Sequence, residues 1–305
     1  MVEVAIFVEG QNGLNWSNWK RIARATEELG FVGLYRSDHF TNQQPPALDS
    51  LELWVSLVWL ADNTSRIEFG PLVSPLSFRN PVFTARMAKD VDDLSNGRLT
   101  LGLGAGWQAR EHEMFGFDLL EPEPRFDRFE EGVEVVYRLL REPQPVSFAG
   151  EYSRLQDASL LPRPRRSDGP PILIGGSGWN RTLRLTARLA DEWNCGFRSP
   201  DVFAKLNARL NVLLAQAGRD PTEVRRSLAN TTIFGRDDRE LRRKIEARGL
   251  TPDRLAESGV IHGTGSQIVE QLGNYQAAGV QRVMLQWLEL DDLDSLAALA
   301  EAVLA

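Results

Sequence analysis

The chain is poor in the residues on which several function classes depend. It holds one cysteine, Cys195, among 305 residues. That count excludes a disulfide framework and a thiolate metal cluster, and it suits a reducing cytoplasm. Histidine is almost as scarce: His39, His112 and His262 are the whole set, which argues against a multi-histidine metal centre. No apolar run approaches the about 20 residues that span a bilayer. The first eight residues lack a basic n-region and read as a strand, not a signal peptide. There is no basic tract and the net charge is −7, so neither a nucleic-acid nor a membrane partner is expected.

What is present is a regular alternation. Period-2 and buried apolar segments predict strands over 4–8, 33–36, 66–73, 98–106, 171–174, 192–196, 226–234 and 282–287. Helical spacing, with glycine or proline at the ends, predicts helices over 18–29, 51–61, 80–94, 125–141, 182–190, 202–217, 239–248, 266–278 and 293–304. Residues 142–169, rich in proline, glycine and polar side chains, read as an excursion with a small hairpin around Gly150. Such alternation implies parallel strands with right-handed crossovers. The expectation is an α/β fold over residues 1–305 as one domain. Its architecture would be a (β/α)8 TIM barrel with an insertion between the fourth and fifth strands. An open doubly wound sheet would need a glycine fingerprint after the first strand, which Glu9-Gly10-Gln11-Asn12-Gly13 does not supply.

The segment Leu101-Gly102-Leu103-Gly104-Ala105-Gly106-Trp107 puts its three glycines on one strand face and Leu101, Leu103 and Ala105 on the other. Each interior glycine costs roughly 0.5–1 kcal/mol against alanine, so the bare face needs a reason. Two stay open: a flat ligand lying on naked backbone, or large side chains from neighbouring strands filling the space.

Barrel active sites lie where strands end. The second strand ends in Ser37-Asp38-His39-Phe40. An imidazole there can give or take a proton, with Asp38 to orient it; a loop-capping Asp38 beside a satisfied His39 is the plain alternative. The third ends around Pro71-Leu72-Val73-Ser74-Pro75, where the prolines imply irregular backbone and Ser74 faces either a ligand or local main chain. The fifth ends in Gly175-Gly176-Ser177-Gly178 and enters a helix bearing Arg181 and Arg184. Free amides at that helix start, a serine hydroxyl and Arg181 suit a phosphate, against a plain tight turn. No Gly-Lys-Ser/Thr follows, so this is not a nucleotide P-loop. Phe40, Trp107, Phe115, Trp193 and Phe197 stand at or past strand ends, as pocket walls for a flat ring or as core. Glu111 is placed to pair with an arginine or act on a substrate, whereas Glu113 reads as a solvated charge.

Taken together, several blocks carry a resemblance. Ser37-Asp38-His39-Phe40, Phe78-Arg79-Asn80-Pro81, the run from Asp93 to Trp107, Glu111, Phe115-Gly116, Ile174–Gly178 and Ala190–Asn194 occur in the order found in the bacterial luciferase-like family of flavin- and deazaflavin-dependent oxidoreductases, which this chain resembles almost throughout. The resemblance implies a barrel with an insertion and a cofactor at its mouth. The cofactor ring would lie against Leu72, Val73, Ser74, Gly104, Ala105, Gly106 and Trp107, and its phosphate at Gly175, Gly176, Ser177 and Gly178. His39 matches the catalytic histidine and Asp38 the carboxylate before it, which would also touch the cofactor. Phe40, Trp107, Glu111 and Trp193 would surround the substrate, and a non-proline cis peptide would fall near Pro71-Leu72. No metal is implied. The Ser-Asp-His-Phe and Gly-Ala-Gly-Trp forms resemble the branch that uses coenzyme F420, which exchanges a hydride with an alcohol, a carbonyl or an activated alkene. The alternatives are an FMN-dependent monooxygenase served by a separate flavin reductase, and a non-catalytic flavin-binding relative. An F420 or flavin reductase is thus an expected partner, besides a small-molecule substrate and a second copy of the chain in a homodimer.

Overall fold

The first strand, β1 (Glu3–Val8), is buried at every residue but its first, as a strand covered on both faces must be. In the computed structural model, which describes residues 2–251, 255 and 259–305, it pairs in parallel with β2 (Gly33–Arg36) and with β12 (Arg282–Gln286). The two ends of the chain are therefore neighbours in the sheet. From β12 the sheet continues through β10 (Arg225–Phe234), β9 (Glu192–Gly196), β8 (Ile172–Gly175) and β5 (Leu101–Gly104). On the far side of β2 lies β3 (Glu68–Pro71), and β4 (Ser74–Pro75) pairs with β5. β3 and β4 are one barrel strand interrupted at Leu72 and Val73. A bridge between Phe69 and Leu99 brings that strand against the start of β5 and closes the ring. Every barrel pairing is parallel, as the alternation predicts.

Helices α1 (Trp16–Glu28), α2 (Leu53–Asn63), α3 (Pro81–Leu94), α5 (Pro122–Arg141), α6 (Thr182–Leu189), α7 (Pro200–Gln216), α9 (Gly265–Ala277) and α10 (Leu293–Val303) pack on the outside. Outward-facing strand residues such as Ile6, Leu34, Leu103 and Ile174 join the helices in the main core. The barrel interior is a second, smaller cluster that includes Ala5, Phe7, Tyr35, Leu72, Leu173 and Met284. The excursion after α5 carries the antiparallel hairpin β6 (Val146–Ala149) and β7 (Arg154–Ala158). Its turn is fastened by Glu131, whose carboxylate accepts from the amides of Glu151, Tyr152 and Ser153.

Two strand bounds are corrected and one local expectation is met. The strand expected over 66–73 runs from Glu68 to Pro71 and resumes as β4 at Ser74, where it pairs with β5 instead of β2. The non-proline cis peptide expected near Pro71-Leu72 is present, joining Leu72 to Val73. The strand expected over 98–106 ends at Gly104, since Gly106 takes φ +80, a left-handed turn. Further elements fall outside the sequence expectations. α4 (Ala109–Phe115) follows that turn, and β11 (Ile261–Gly263) pairs with the end of β10, beyond α8 (Asp238–Ala247). Among the described residues no helix is long and apolar enough to cross a membrane.

Candidate active site

The carboxyl ends of the barrel strands open into a cavity of about 870 Å³, with Phe7, His39, Val73, Trp107 and Gly175 in its walls. His39 lies just past β2. Its Nδ1 is 2.9 Å from Oε1 of Glu111, whose Oε2 accepts the Phe40 amide at 2.9 Å. Glu111 is 1% exposed, carried inward by α4. A carboxylate can only accept, so the Nδ1 proton is committed to it. Nε2, with no partner among the described residues, is left for a ligand in the cavity. Trp107 meets the imidazole edge to face at 5.6 Å. Burial disfavours the imidazolium, but the hydrogen bond and charge of Glu111, helped by Glu9 and Asp38, outweigh it, and His39 titrates above the usual histidine value.

Glu111→Gln is therefore expected to lower the His39 pKa, because burial remains and its principal opponent is gone. A histidine NMR titration checks this, and an unmoved titration contradicts it. The coupling also contributes to stability. That contribution is complete below the ordinary histidine pKa and fades as pH rises through the elevated one.

The carboxylate on His39 is thus Glu111, not the adjacent Asp38. Successive residues of an extended chain face opposite ways, and Asp38 points to Arg79. Arg79 Nε donates to Oδ2 at 2.9 Å and Nη2 to Oδ1 at 2.7 Å, while Ser74 Oγ donates to Oδ2 at 3.2 Å. Asp38 and Ser74, both buried, knit the end of β2 to β4 behind the cavity instead of lining it. Phe40 likewise turns away, into an aromatic cluster with Phe78, Phe115 and Phe117 at 4.7–5.3 Å. Trp193 is fully buried against Phe203 in the helix layer, and its Nε1 donates to the Gly176 carbonyl at 2.8 Å. It braces the glycine turn from outside and is no part of the cavity wall. His112 is a structural residue, held by Ser77 Oγ and the Gln108 carbonyl.

Leu72, Val73, Gly104, Ala105, Gly106, Trp107 and Gly175 do meet around the cavity. The bare glycine face admits a close approach of the third strand, and Gly104 and Gly106 also stand on the cavity wall. A Cβ on Gly102 would stand 2.1 Å from the Pro71 carbonyl oxygen, and one on Gly104 2.4 Å from Val73 Cγ2. A Cβ on Gly175 would lie 2.9 Å from Val73 Cγ1. The glycines admit the interrupted third strand, and Val73 presents the wall that a ligand would touch.

At the rim, the Gly176 amide donates to the Asn194 carbonyl, whereas the amides of Ser177, Gly178 and Trp179 have no partner among the described residues. The cation beside them is not Arg181, which is paired with Asp127 and Glu130 and lies over the Phe126 ring at 4.3 Å. It is Arg198, whose Nη2 donates to Ser177 Oγ at 2.9 Å and which makes no ion pair among the described residues. Arg198 follows β9 by two residues, so its place past a strand end was the signal available for it.

Comparison with known proteins agrees with this architecture. The luciferase-like monooxygenase family model matches residues 2–250. The F420-dependent hydroxymycolic acid dehydrogenase of Mycobacterium tuberculosis is 31% identical over 219 residues, 70% of this chain and 58% of that protein. The 4-hydroxyprotoasukamycin monooxygenase of Streptomyces nodosus subsp. asukaensis is 31% identical over 174 residues, 56% of this chain and 45% of that protein. The chain thus spans about half the length of these curated relatives. A solved F420-dependent secondary alcohol dehydrogenase, in complex with an F420-acetone adduct, superposes with a TM-score of 0.86 at 18% identity, covering 99% of each chain. That likeness establishes the barrel fold. The family match, which runs through the barrel from β1 past α8, establishes the kinship: the chain belongs to the luciferase-like monooxygenase family.

Proposed function

We propose that the chain is an F420-dependent oxidoreductase that moves a hydride between the deazaflavin and a small alcohol, carbonyl compound or activated alkene. The carrying observation is the imidazole of His39, tied by Nδ1 to a buried carboxylate on the wall of a large cavity. The residues present suit the cofactor. A cavity of about 870 Å³ has room for a three-ring heterocycle and its side chain. Leu72 and Val73 offer an apolar wall, and the free amides of Ser177, Gly178 and Trp179 with Arg198 suit a phosphate. F420, when bound, supplies the two-electron hydride exchange.

The side chains supply the proton. Carbonyl reduction leaves negative charge on the substrate oxygen, and His39 Nε2–H neutralises it; alcohol oxidation runs the same transfer backwards. Glu111 fixes the tautomer and favours the charged ring, which suits proton donation near neutral pH.

Both a dehydrogenase described as F420-dependent and a monooxygenase are among the relatives, so oxygen separates the readings. With F420 under anaerobic conditions, deazaflavin absorbance should change on adding alcohols or carbonyl compounds. Turnover that instead requires FMN, a flavin reductase and oxygen would overturn the proposal. Arg198→Ala is expected to raise the F420 dissociation constant roughly tenfold or more, the scale of one hydrogen bond to a charged group, with kcat at saturating cofactor nearly unchanged. An unaltered dissociation constant would remove Arg198 from the phosphate site.

A further inference from the structure

The proton exchange at His39 leaves a second polar feature of the cavity unused. Glu9 stands one residue past β1, and its carboxylate receives two primary amides. Gln11 Nε2 donates to Oε2 at 2.8 Å and Gln286 Nε2 donates to Oε1 at 2.7 Å. Each amide is in turn set from behind by a hydroxyl. Ser37 Oγ donates to Gln11 Oε1 at 2.7 Å, and Thr231 Oγ1 donates to Gln286 Oε1 at 2.7 Å. Ser37 Oγ itself accepts the Gly10 amide at 2.9 Å. Two relays, drawn from the ends of β1, β2 and β12 and from within β10, therefore run in one direction and converge on one carboxylate. Both amide groups are orientated by it, since the reverse flip would turn a carbonyl oxygen towards the carboxylate.

The convergence has a consequence for any ligand. A carboxylate has about four acceptor positions, and two are filled here. Glu9 makes no ion pair among the described residues, and it lines the same cavity as His39. The rest of its acceptor capacity therefore faces the space that a substrate fills. A substrate that covers Glu9 without a donor strips water from a charged acceptor and returns nothing, which costs affinity. An anionic group would be repelled there as well. The cavity is thus graded, with an acceptor at Glu9 and a cation at Arg198 on the Ser177 rim.

We infer that Glu9 is a specificity-determining residue that accepts a hydrogen bond from a hydroxyl or ammonium group of the substrate. The inference rests on the reading of this cavity as the substrate site and narrows the substrate class to compounds bearing such a donor.

The test uses three ring compounds of one size, with the cofactor-free chain and ligand-observed NMR titration. Cyclohexanol and cyclohexylammonium carry a donor, and cyclohexanone carries only an acceptor. Wild type should bind each donor roughly 10–100-fold more tightly than the ketone, the range for a hydrogen bond to a charged group. Glu9→Gln should reduce that preference to within about threefold, most of all for the ammonium compound. Thr231→Val, which cuts one relay and leaves the carboxylate, should reduce it partway. His39→Ala should keep it, which separates a donor held by Glu9 from one held by the imidazole. If the ammonium compound alone shows the preference, the donor is an amine; if both show it, a hydroxyl suffices. No preference in wild type, or a preference that survives Glu9→Gln, overturns the inference. The readout needs neither F420 nor turnover, so a failure of the F420 reading shows itself separately.

Discussion

His39→Ala should lower kcat by roughly 10²–10⁴-fold while leaving F420 affinity within a few-fold of wild type. The reason is local. Nε2 of His39 is the exchangeable group left for the substrate, whereas the groups suited to the cofactor are Val73, the glycine turn and Arg198. Alanine removes the proton donor without touching them. It also leaves Glu111 buried with the Phe40 amide as its one remaining side-chain partner among the described residues, so some loss of stability is expected as well. Single-turnover absorbance measurements separate the two effects, because a weakened fold alone would not slow hydride transfer in the molecules that remain folded. Unchanged single-turnover rates would exclude His39 from proton transfer. In wild type, the reduction of a carbonyl substrate should persist towards alkaline pH until the raised His39 pKa is passed, and in Glu111→Gln it should fail at lower pH.

Gly102→Ala should lower stability by about 3 kcal/mol or more, and the midpoint of thermal unfolding by about 5–10 °C. Its Cβ would stand 2.1 Å from the Pro71 carbonyl oxygen, a backbone atom that cannot swing aside. The neighbouring chain is held by the Leu72 amide, which donates to the Arg36 carbonyl at 2.7 Å, so relief requires the third strand to part from the second or the fourth. Gly273→Ala is the matching control. It lies in α9 with nothing within 4 Å of the added carbon, so it should stabilise by about 0.5–1 kcal/mol. Equal melting temperatures for the two variants would mean that the packing around the interrupted strand is looser than described.

The barrel was legible because its signals are local. Residues 4–8 and 192–196 read as strands from their own apolar character, and the strand–helix alternation fixes parallel pairing without knowledge of any contact. His39 was legible for the same reason, since it follows a strand end. Its partner was not. Glu111 lies 72 residues away on a helix that no local pattern announced, and Asp38 was the nearer carboxylate. Adjacent residues on an extended chain part company, so proximity in sequence misled. Phe40 and Trp193 show the same limit: aromatic residues near strand ends are as able to pack outward, on Phe78 and Phe203, as into a cavity. Arg181 and Arg198 exchanged roles because each is decided by distant acids. Asp127 and Glu130 on α5 capture the first, and among the described residues no carboxylate pairs with the second. The glycine strand is unusual in the sequence alone, but which neighbour its bare face admits depends on the bend at Leu72 and Val73, while Gly104 and Gly106 also reach the cavity wall.

The most direct measurement is a titration of the purified chain into F420 and into FMN, followed by cofactor fluorescence. The account predicts saturable quenching of F420, weaker quenching of FMN, and a loss of F420 affinity in Arg198→Ala that His39→Ala does not share. Absence of quenching with either molecule would contradict it, as would tight FMN binding with none for F420.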